Sequence, residues 1–265
     1  MQSSLCRIDG LLAVQLWFLL FEAVVVQYEI PIAQHSLDRA CQPGMLISMG
    51  FDHPIFSQSL RLIEAALPIG SLQGLSVCER DVVLRLIHSS GDLSLVSGVS
   101  FSDQACELGL QALRSQVPIL TDTAMAAAAV APMARRTFGN LVCSVLDWAP
   151  EQAPKGGTRA AVGMQEALRS HPGAVVLIGS APTALELLLE QVRSAQVVPP
   201  ALVIGMPVGF VGVAESKNHL AASDLPQIRL DGSRGGAGLV AAVVNALLRR
   251  AWLDRARVES DRAET

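Results

Sequence analysis

The sequence predicts a three-layer α/β/α domain with a mostly parallel central sheet, preceded by an N-terminal extension. Beyond residue 50, apolar runs of four to seven residues alternate with helical stretches. Several of these runs are continuously apolar, which is typical of strands buried on both faces of a parallel sheet. We expect strands at 117–120, 140–146, 174–179, 201–206 and 227–230, and helices at 158–170, 182–195, 213–222 and 236–250.

Three further helices are predicted before the first of these strands. Asp52-His53-Pro54 can begin one helix, because proline is favoured in the first turn. Ser76 and Glu79 have the spacing of a capping box, and Gly91 is placed to end that second helix. Ser102 can open a third, which carries its apolar side chains at Leu108, Leu110 and Leu113.

The composition and net charge of the chain exclude some classes of function. The chain has 265 residues, of which 51% are hydrophobic and 17% charged, so it can bury a full core and is not a disordered protein. The formal charge is −4 and the aromatic fraction 4%, which argues against general nucleic-acid binding. An anionic ligand would need a local cluster of basic groups and backbone N–H donors.

The cysteines and histidines give no sign of a disulfide framework or a metal site. The five cysteines are widely spaced and never form C-x-x-C, and no two of the five histidines have H-x-x-x-H spacing. We therefore expect free thiols, a reducing cytoplasmic location and no bound metal.

The first fifty residues are read as an extension of unknown role. Residues 11–26 are strongly apolar, but this run is interrupted by Gln15 and Glu22 and is shorter than the roughly 20 residues of a membrane span. A signal peptide is disfavoured too, which leaves an amphipathic docking helix or an upstream segment without function. The predicted division is 1–50 for the extension, 51–252 for the α/β domain and 253–265 for a charged tail.

Glycine-rich loops follow three of the predicted strands, at 178–183, 205–212 and 231–238. Each loop leads into a helix N-terminus, and Lys217 and Arg234 add positive charge nearby. Together they suit a ligand with several carboxylates or phosphates, although ordinary turn chemistry explains any one of them. Gly236 and Gly238 fit G-x-G-x-x-A, but in the last βα unit this supports a nucleotide site only weakly.

His88 is the candidate for proton chemistry. It falls in the last turn of the second predicted helix, where the helix dipole favours the imidazolium, and nearby Asp92 would add to that. A histidine that simply ends the helix is the alternative. Arg159 opens a predicted helix, which is the unfavourable end for a cation, so it either invites an anionic partner or is a solvated surface arginine.

These segments together resemble the precorrin-8X methylmutases, the corrin-ring isomerases of cobalamin biosynthesis. The similarity extends over roughly residues 52–250, in the order of the family. Its most specific parts are GMPVGFVG at 205–212 with ESK at 215–217, and RGG at 234–236. The other matching strings are LIHSSGD at 86–92, PILTD at 118–122, TRAA at 158–161 and IGSAPTAL at 178–185.

The resemblance implies migration of a methyl group from C11 to C12 of the macrocycle to give hydrogenobyrinate, with no cofactor or metal, by a homodimer. It implies that His88 is the general acid, with a non-catalytic corrinoid-binding or carrier protein as the alternative. Two departures from the family's usual sequence are the alanine run 126–129 and the glycines at 156 and 157. The substrate-binding residues implied are Ser59, Arg159, Lys217, Arg234, Gly209 and Gly235.

Overall fold

The structure, a computed structural model, describes residues 50–263; the apolar segment 11–26 lies outside them. The helices are α1 Pro54–Ala66, α2 Val77–Ser90, α3 Ala105–Arg114, α4 Ala124–Arg136, α5 Arg159–Ser170, α6 Pro182–Arg193, α7 Val213–Ala221 and α8 Ala237–Ala263. The strands are β1 Val99–Phe101, β2 Ile119–Thr121, β3 Val142–Ser144, β4 Val175–Ile178, β5 Leu202–Gly205 and β6 Gln227–Leu230. Two 3-10 helices, Leu93–Ser97 and Val145–Trp148, complete the set.

The six strands form one sheet in the order β1-β6-β5-β4-β2-β3. All neighbours are parallel except β1, which runs antiparallel to β6 with Val99 opposite Leu230. The strand order reverses direction between β2 and β4, so a crevice is expected at the carboxyl ends of these two strands.

Helices cover both faces of the sheet, which confirms the predicted three-layer class. Along β4, Val175 and Leu177 belong to the apolar core beneath α2, α3, α4 and α8, whereas Val176 and Ile178 belong to the core beneath α5, α6 and α7. All four side chains are fully buried. This alternation follows from the two-residue repeat of a strand and explains why the run is continuously apolar.

The predicted elements differ from the observed ones in five places, one of them the unpredicted 3-10 helix Leu93–Ser97. Strand β1 is not predicted, because its three residues are only half-buried. The apolar run 140–146 divides into β3 and the 3-10 helix Val145–Trp148. The alanine-rich α4 is also not predicted, and α8 continues thirteen residues beyond the predicted end at 250, so the charged residues after 252 are helical as far as 263.

A buried ionic cluster joins the beginning of the described chain to α2 and α8. Arg249 of α8 donates hydrogen bonds to both oxygens of Asp52, at 2.5–3.0 Å, and a longer one to Asp81 at 3.3 Å. The side chains of Asp52 and Arg249 are 5% and 11% exposed. Arg250 also binds Asp81, from the next position of α8. Charges this deeply buried require a partner, so the cluster fixes the entry of the chain against α8.

Gly163 allows α5 to lie directly on the 3-10 helix Val145–Trp148. A Cβ at this position would overlap the Val145 carbonyl group and lie 3.3 Å from the Ala149 Cβ. The Val145 carbonyl and the Ala149 Cβ cannot shift without moving the packed backbone. Helix α5 could therefore accept a side chain at position 163 only by moving away from the 3-10 helix.

Asp122, which follows β2, links this strand to the loop that follows β4. Its Oδ2 accepts hydrogen bonds from the Ser180 N–H at 2.6 Å and the Ala181 N–H at 2.8 Å, at the beginning of α6. The side chain is buried and its Oδ1 has no partner among the described residues. Burial raises the pKa of Asp122 above its ordinary value, although the backbone donors oppose the shift.

We expect Gly163→Ala to lower the free energy of unfolding by about 1–3 kcal/mol, because the new methyl group must displace the Val145 backbone. Gly238→Ala is the matched control, since nothing lies within 4 Å of a Cβ there. Urea denaturation of both variants measures the difference. Equal stability of the two would contradict the close approach.

We expect Asp122→Ala to lower the free energy of unfolding by about 1–3 kcal/mol, because two N–H groups lose their acceptor, and Asp122→Asn to lower it less. The raised pKa means that the folded state binds the Asp122 proton more tightly than the unfolded state. The wild type should therefore lose stability relative to Asp122→Asn as pH rises from about 4 through the folded-state pKa. Denaturation across pH measures this, and parallel curves would contradict it.

Candidate active site

Three loops at the carboxyl edge of the sheet interlock. We call residues 179–181, 206–212 and 231–236 the rim loops. The Val208 N–H donates to the Gly179 carbonyl at 3.1 Å, the Gly209 N–H to Ser233 at 3.0 Å, and the Gly236 N–H to Met206 at 2.9 Å. These backbone groups therefore bind one another, and the loops that follow β4, β5 and β6 form one surface.

Two of the glycines predicted to bind substrate are required by this packing. A Cβ on Gly235 would overlap the Met206 carbonyl oxygen and lie 2.8 Å from that of Pro207. Gly209 has φ +136°, a conformation that residues with side chains rarely adopt. Both glycines thus let the loops meet, whatever else they contact.

Lys217, another predicted substrate residue, lies beneath the rim loops. Its Nζ donates hydrogen bonds to the carbonyl oxygens of Gly232 and Arg234, both at 2.7 Å, and the residue is 2% exposed. Burial lowers the pKa of Lys217 to about 8, against the opposing attraction of Asp231. The structure therefore places the ammonium group where it holds the 231–236 loop in shape.

Arg234 reaches from the same loop to the end of α2. Its Nη1 donates to Asp92 Oδ2 at 3.1 Å and to Ser94 Oγ at 2.7 Å, while 42% of the side chain stays exposed. Asp92 in turn caps the 3-10 helix Leu93–Ser97 by accepting from the Ser94 N–H. The guanidinium of Arg234 is thus oriented by Asp92 and Ser94, while part of the side chain remains exposed to solvent.

His88 and Ser59, predicted from separate segments, are in direct contact. Helices α1 and α2 pack against each other in opposite directions, and Ser59 Oγ lies 2.8 Å from His88 Nδ1. Phe56, one turn earlier on α1, packs edge-on against the imidazole with the ring centres 5.1 Å apart. The ring is therefore oriented by two side chains of α1 and remains exposed on its other side.

The electrostatic surroundings of His88 differ from the expectation. Asp92 was expected to favour the imidazolium, but its carboxylate binds Ser94 and Arg234 instead. Burial and then the positive charge of Arg85 lower the pKa of His88 below its ordinary value. In the unliganded protein the imidazole is therefore mainly neutral at pH 7.

Arg159 lies elsewhere on the same edge. It is the first residue of α5, is exposed, and donates from Nε to the Pro150 carbonyl at 2.8 Å. The preceding Thr158 lies 2.7 Å, Oγ1 to Oγ1, from Thr183 at the beginning of α6. Among the described residues, no hydrogen bond or ion pair joins Arg159 to His88 or Arg234.

Large apolar side chains are exposed on the same edge. Phe210 and Val211 of the rim loops are 93% and 88% exposed, and Met125 at the beginning of α4 is 71% exposed. Partly or fully exposed arginines and exposed apolar side chains thus share one side of the sheet, an arrangement that fits a ligand with apolar faces and charged edges.

Sequence reasoning missed Phe56 and Arg85 as parts of this site. Phe56 was not predicted as a site residue, yet it touches His88, and the guanidinium of Arg85 lies 4.7 Å from its ring centre. The spacing Asp81, Arg85, His88 places these three on one face of α2, which was the available signal.

No cluster of three or more potential metal ligands occurs within residues 50–263, and no helix in that range is long and apolar enough to cross a bilayer. A cavity of about 780 Å³ lies between α6 and α7, beside the residues that precede β6. It is at the opposite edge of the sheet and shares no residue with the rim loops.

Comparison with known proteins gives consistent matches. Residues 54–250 match the family model described as precorrin-8X methylmutase. The chain is 36% identical to the cobalt-precorrin-8 methylmutase of Synechocystis over 215 residues, covering 76% of this chain and 97% of that protein. It is 38% identical to the precorrin-8X methylmutase of Pseudomonas aeruginosa over 197 residues, covering 73% and 93%.

Solved structures agree. The crystal structure of precorrin-8X methyl mutase from Thermus thermophilus superposes with a TM-score of 0.67 at 36% identity, covering 76% of this chain and 96% of that one. The matched region contains His88, Ser59, Arg159 and the rim loops. The chain therefore belongs to the precorrin-8X methylmutase family and is an isomerase of cobalamin biosynthesis.

Proposed function

We propose that this protein moves a methyl group from C11 to C12 of precorrin-8X, or of its cobalt-bearing analogue, to give the hydrogenobyrinate form, with His88 as general acid. The observation that carries the proposal is the contact between His88 Nδ1 and Ser59 Oγ at the exposed end of α2. Relatives of both kinds, acting by name on precorrin-8X and on cobalt-precorrin-8, support either substrate.

The contact with Ser59 orients the proton donor. With Nδ1 against Ser59 and one ring edge against Phe56, the Nε2 atom is left to face a ligand. Protonation of a ring nitrogen by Nε2 makes the macrocycle a better electron sink, so the methyl group can migrate to the adjacent carbon. The proton returns to His88 afterwards, and the isomerisation leaves no net change in atoms.

The lowered pKa of His88 is compatible with this role, because the substrate brings negative charge. Opposite charge near an imidazole favours its protonated form, so the carboxylates of the bound tetrapyrrole would raise the pKa of His88 again. The acid would then form in the complex rather than in the unliganded protein.

Binding is assigned to exposed cations and apolar side chains of the same edge. Arg159 and Arg234 are partly or fully exposed and can each pair with a peripheral carboxylate. Phe210 and Val211 offer apolar surface to a face of the macrocycle. Lys217 supports this arrangement from below by fixing the loop that carries Arg234.

A corrinoid-binding or carrier protein without catalysis is the second candidate, since the same surface would serve it. The two differ in the fate of the substrate. Incubation of the wild-type protein with each form of precorrin-8, followed by absorbance spectroscopy, should show conversion of at least one form. Tight binding without any spectral conversion would instead favour the carrier.

We expect His88→Gln to reduce turnover by at least about 100-fold, because glutamine cannot donate an acidic proton, while binding of the product persists. Ser59→Ala should reduce turnover less, since the acid remains but loses its orienting contact. Absorbance assays and equilibrium titration with the product measure the two effects.

His219→Gln is the matched control for this experiment. His219 is an exposed histidine paired with Glu186 at the opposite edge of the sheet, and its replacement should leave turnover unchanged. Normal turnover by His88→Gln would exclude the proposed acid.

We expect Arg159→Gln to weaken product binding about tenfold without lowering stability, because the side chain is exposed and would lose a charged contact made only with the ligand. Arg169→Gln, at the other end of α5, is the control and should bind normally. Calorimetric titration measures affinity. Identical affinities of the two variants would remove Arg159 from the binding surface.

A further inference from the structure

Three ionisable residues form a stripe on the face of α2 that packs against α1. Asp81, Arg85 and His88 are spaced four and three residues apart, so successive side chains lie one turn from each other. Asp81 binds Arg249 and Arg250, and His88 contacts Ser59. Arg85 therefore lies between Asp81, whose charge is balanced by two arginines of α8, and His88, the proposed acid.

Arg85 has no anionic partner within the part of the chain that the structure describes. Its Nε is buried and lacks an acceptor, and no hydrogen bond or ion pair of this side chain occurs among residues 50–263. The guanidinium instead stacks over Phe56, with Cζ 4.7 Å from the ring centre. A largely buried arginine normally has its donors satisfied, whereas residues 50–263 of the unliganded protein supply no acceptor for this one.

Neighbouring charges do not neutralise it. Asp52 attracts Arg85, but both of its carboxylate oxygens are bound to Arg249. Arg249 repels Arg85, and burial combines with this repulsion to lower the pKa of Arg85. Asp81 is shared by Arg249 and Arg250. Arg250 also pairs with Asp254, which it shares with Arg114. Three carboxylates therefore face four arginines here, and the positive charge of Arg85 is left over.

We infer that Arg85 binds one peripheral carboxylate of the tetrapyrrole beside the His88 imidazole. The inference rests on the proposed function, because that function supplies a ligand rich in carboxylates. Phe56 holds the guanidinium in a fixed plane, which suits two parallel hydrogen bonds to a carboxylate. The same phenyl ring orients His88, so one aromatic residue positions both groups.

Binding at Arg85 also couples substrate recognition to the proton on His88. The ionisable groups around the imidazole are Arg85 on α2, Asp92 beyond its end and, farther along the stripe, Asp81; α1 contributes only Ser59 and Phe56 in contact with the ring. Asp92 is already bound to Arg234. A carboxylate on Arg85 would cancel the one positive charge that disfavours the imidazolium, so His88 would gain its proton when substrate arrives.

Arg85→Gln tests the inference in the full-length protein, with Arg61→Gln as the matched control. Arg61 is an exposed arginine of the facing helix α1. Titration with the product should show about 10- to 100-fold weaker binding for Arg85→Gln and nearly normal binding for Arg61→Gln. Arg85→Lys should recover part of the affinity, because lysine keeps the charge but lacks the planar fork.

Two readouts distinguish carboxylate binding from a merely structural role. Replacing the carboxylates of the product by amides should remove most of the difference between wild type and Arg85→Gln. In addition, NMR titration of His88 should give a higher pKa in unliganded Arg85→Gln than in the unliganded wild type, since a repelling charge is gone.

The outcomes separate the two proposals. If the wild type converts precorrin-8X but Arg85→Gln binds product as Arg61→Gln does, the Arg85 inference is wrong and the proposed function stands. An equal loss of affinity for the acid and amide forms would also overturn it. If the wild type neither binds nor converts either substrate form, the proposed function fails and the inference fails with it.

Discussion

The contact between the loops that follow β4, β5 and β6 determines the rest of the site. Because Gly235 has no side chain, its loop can lie against the Met206 carbonyl, and backbone hydrogen bonds then join all three loops. Lys217 fixes the same loop from below. Arg234 projects from that loop toward Asp92, so the packing of two backbone segments sets the position of a charge at the end of α2.

The hydrogen bonds within these loops limit the ways in which a protein of net negative charge could bind a polyanion. The sequence suggested that backbone N–H groups of the glycine loops would serve as donors, but several of them are already bound within the protein. Those of Ser180 and Ala181 donate to Asp122, and those of Gly209 and Gly236 donate to carbonyl groups. Under the proposed function, recognition of carboxylates is therefore left chiefly to arginine side chains, whose charges are local and do not require a basic protein overall.

The sequence predicted the fold class and five of the six strands. Continuously apolar runs bounded by glycine are typical of strands that are buried on both faces of a parallel sheet. It missed β1, which is three residues long and half-buried, and α4, where alanine favours helix but leaves no apolar periodicity. Ser59 followed from family resemblance alone, whereas His88 was also predicted from its place in the last turn of a capped helix. Burial of Lys217 and the missing partner of Arg85 were not predictable, because both depend on which segments meet in three dimensions.

The ion pair between Asp52 and Arg249 bears on where this domain can be cut. The family match spans residues 54–250, so it includes Arg249 and omits Asp52. A protein trimmed to residues 54–250 would keep all three rim loops. It would, however, bury Arg249 without its principal counterion, Asp52. Removing one member of a buried pair costs about 3–5 kcal/mol, a large share of the stability of an ordinary domain. Sequence similarity marks what relatives share, whereas the counterion of Arg249 in α8 places Asp52, two residues before the match, inside the stable folding unit.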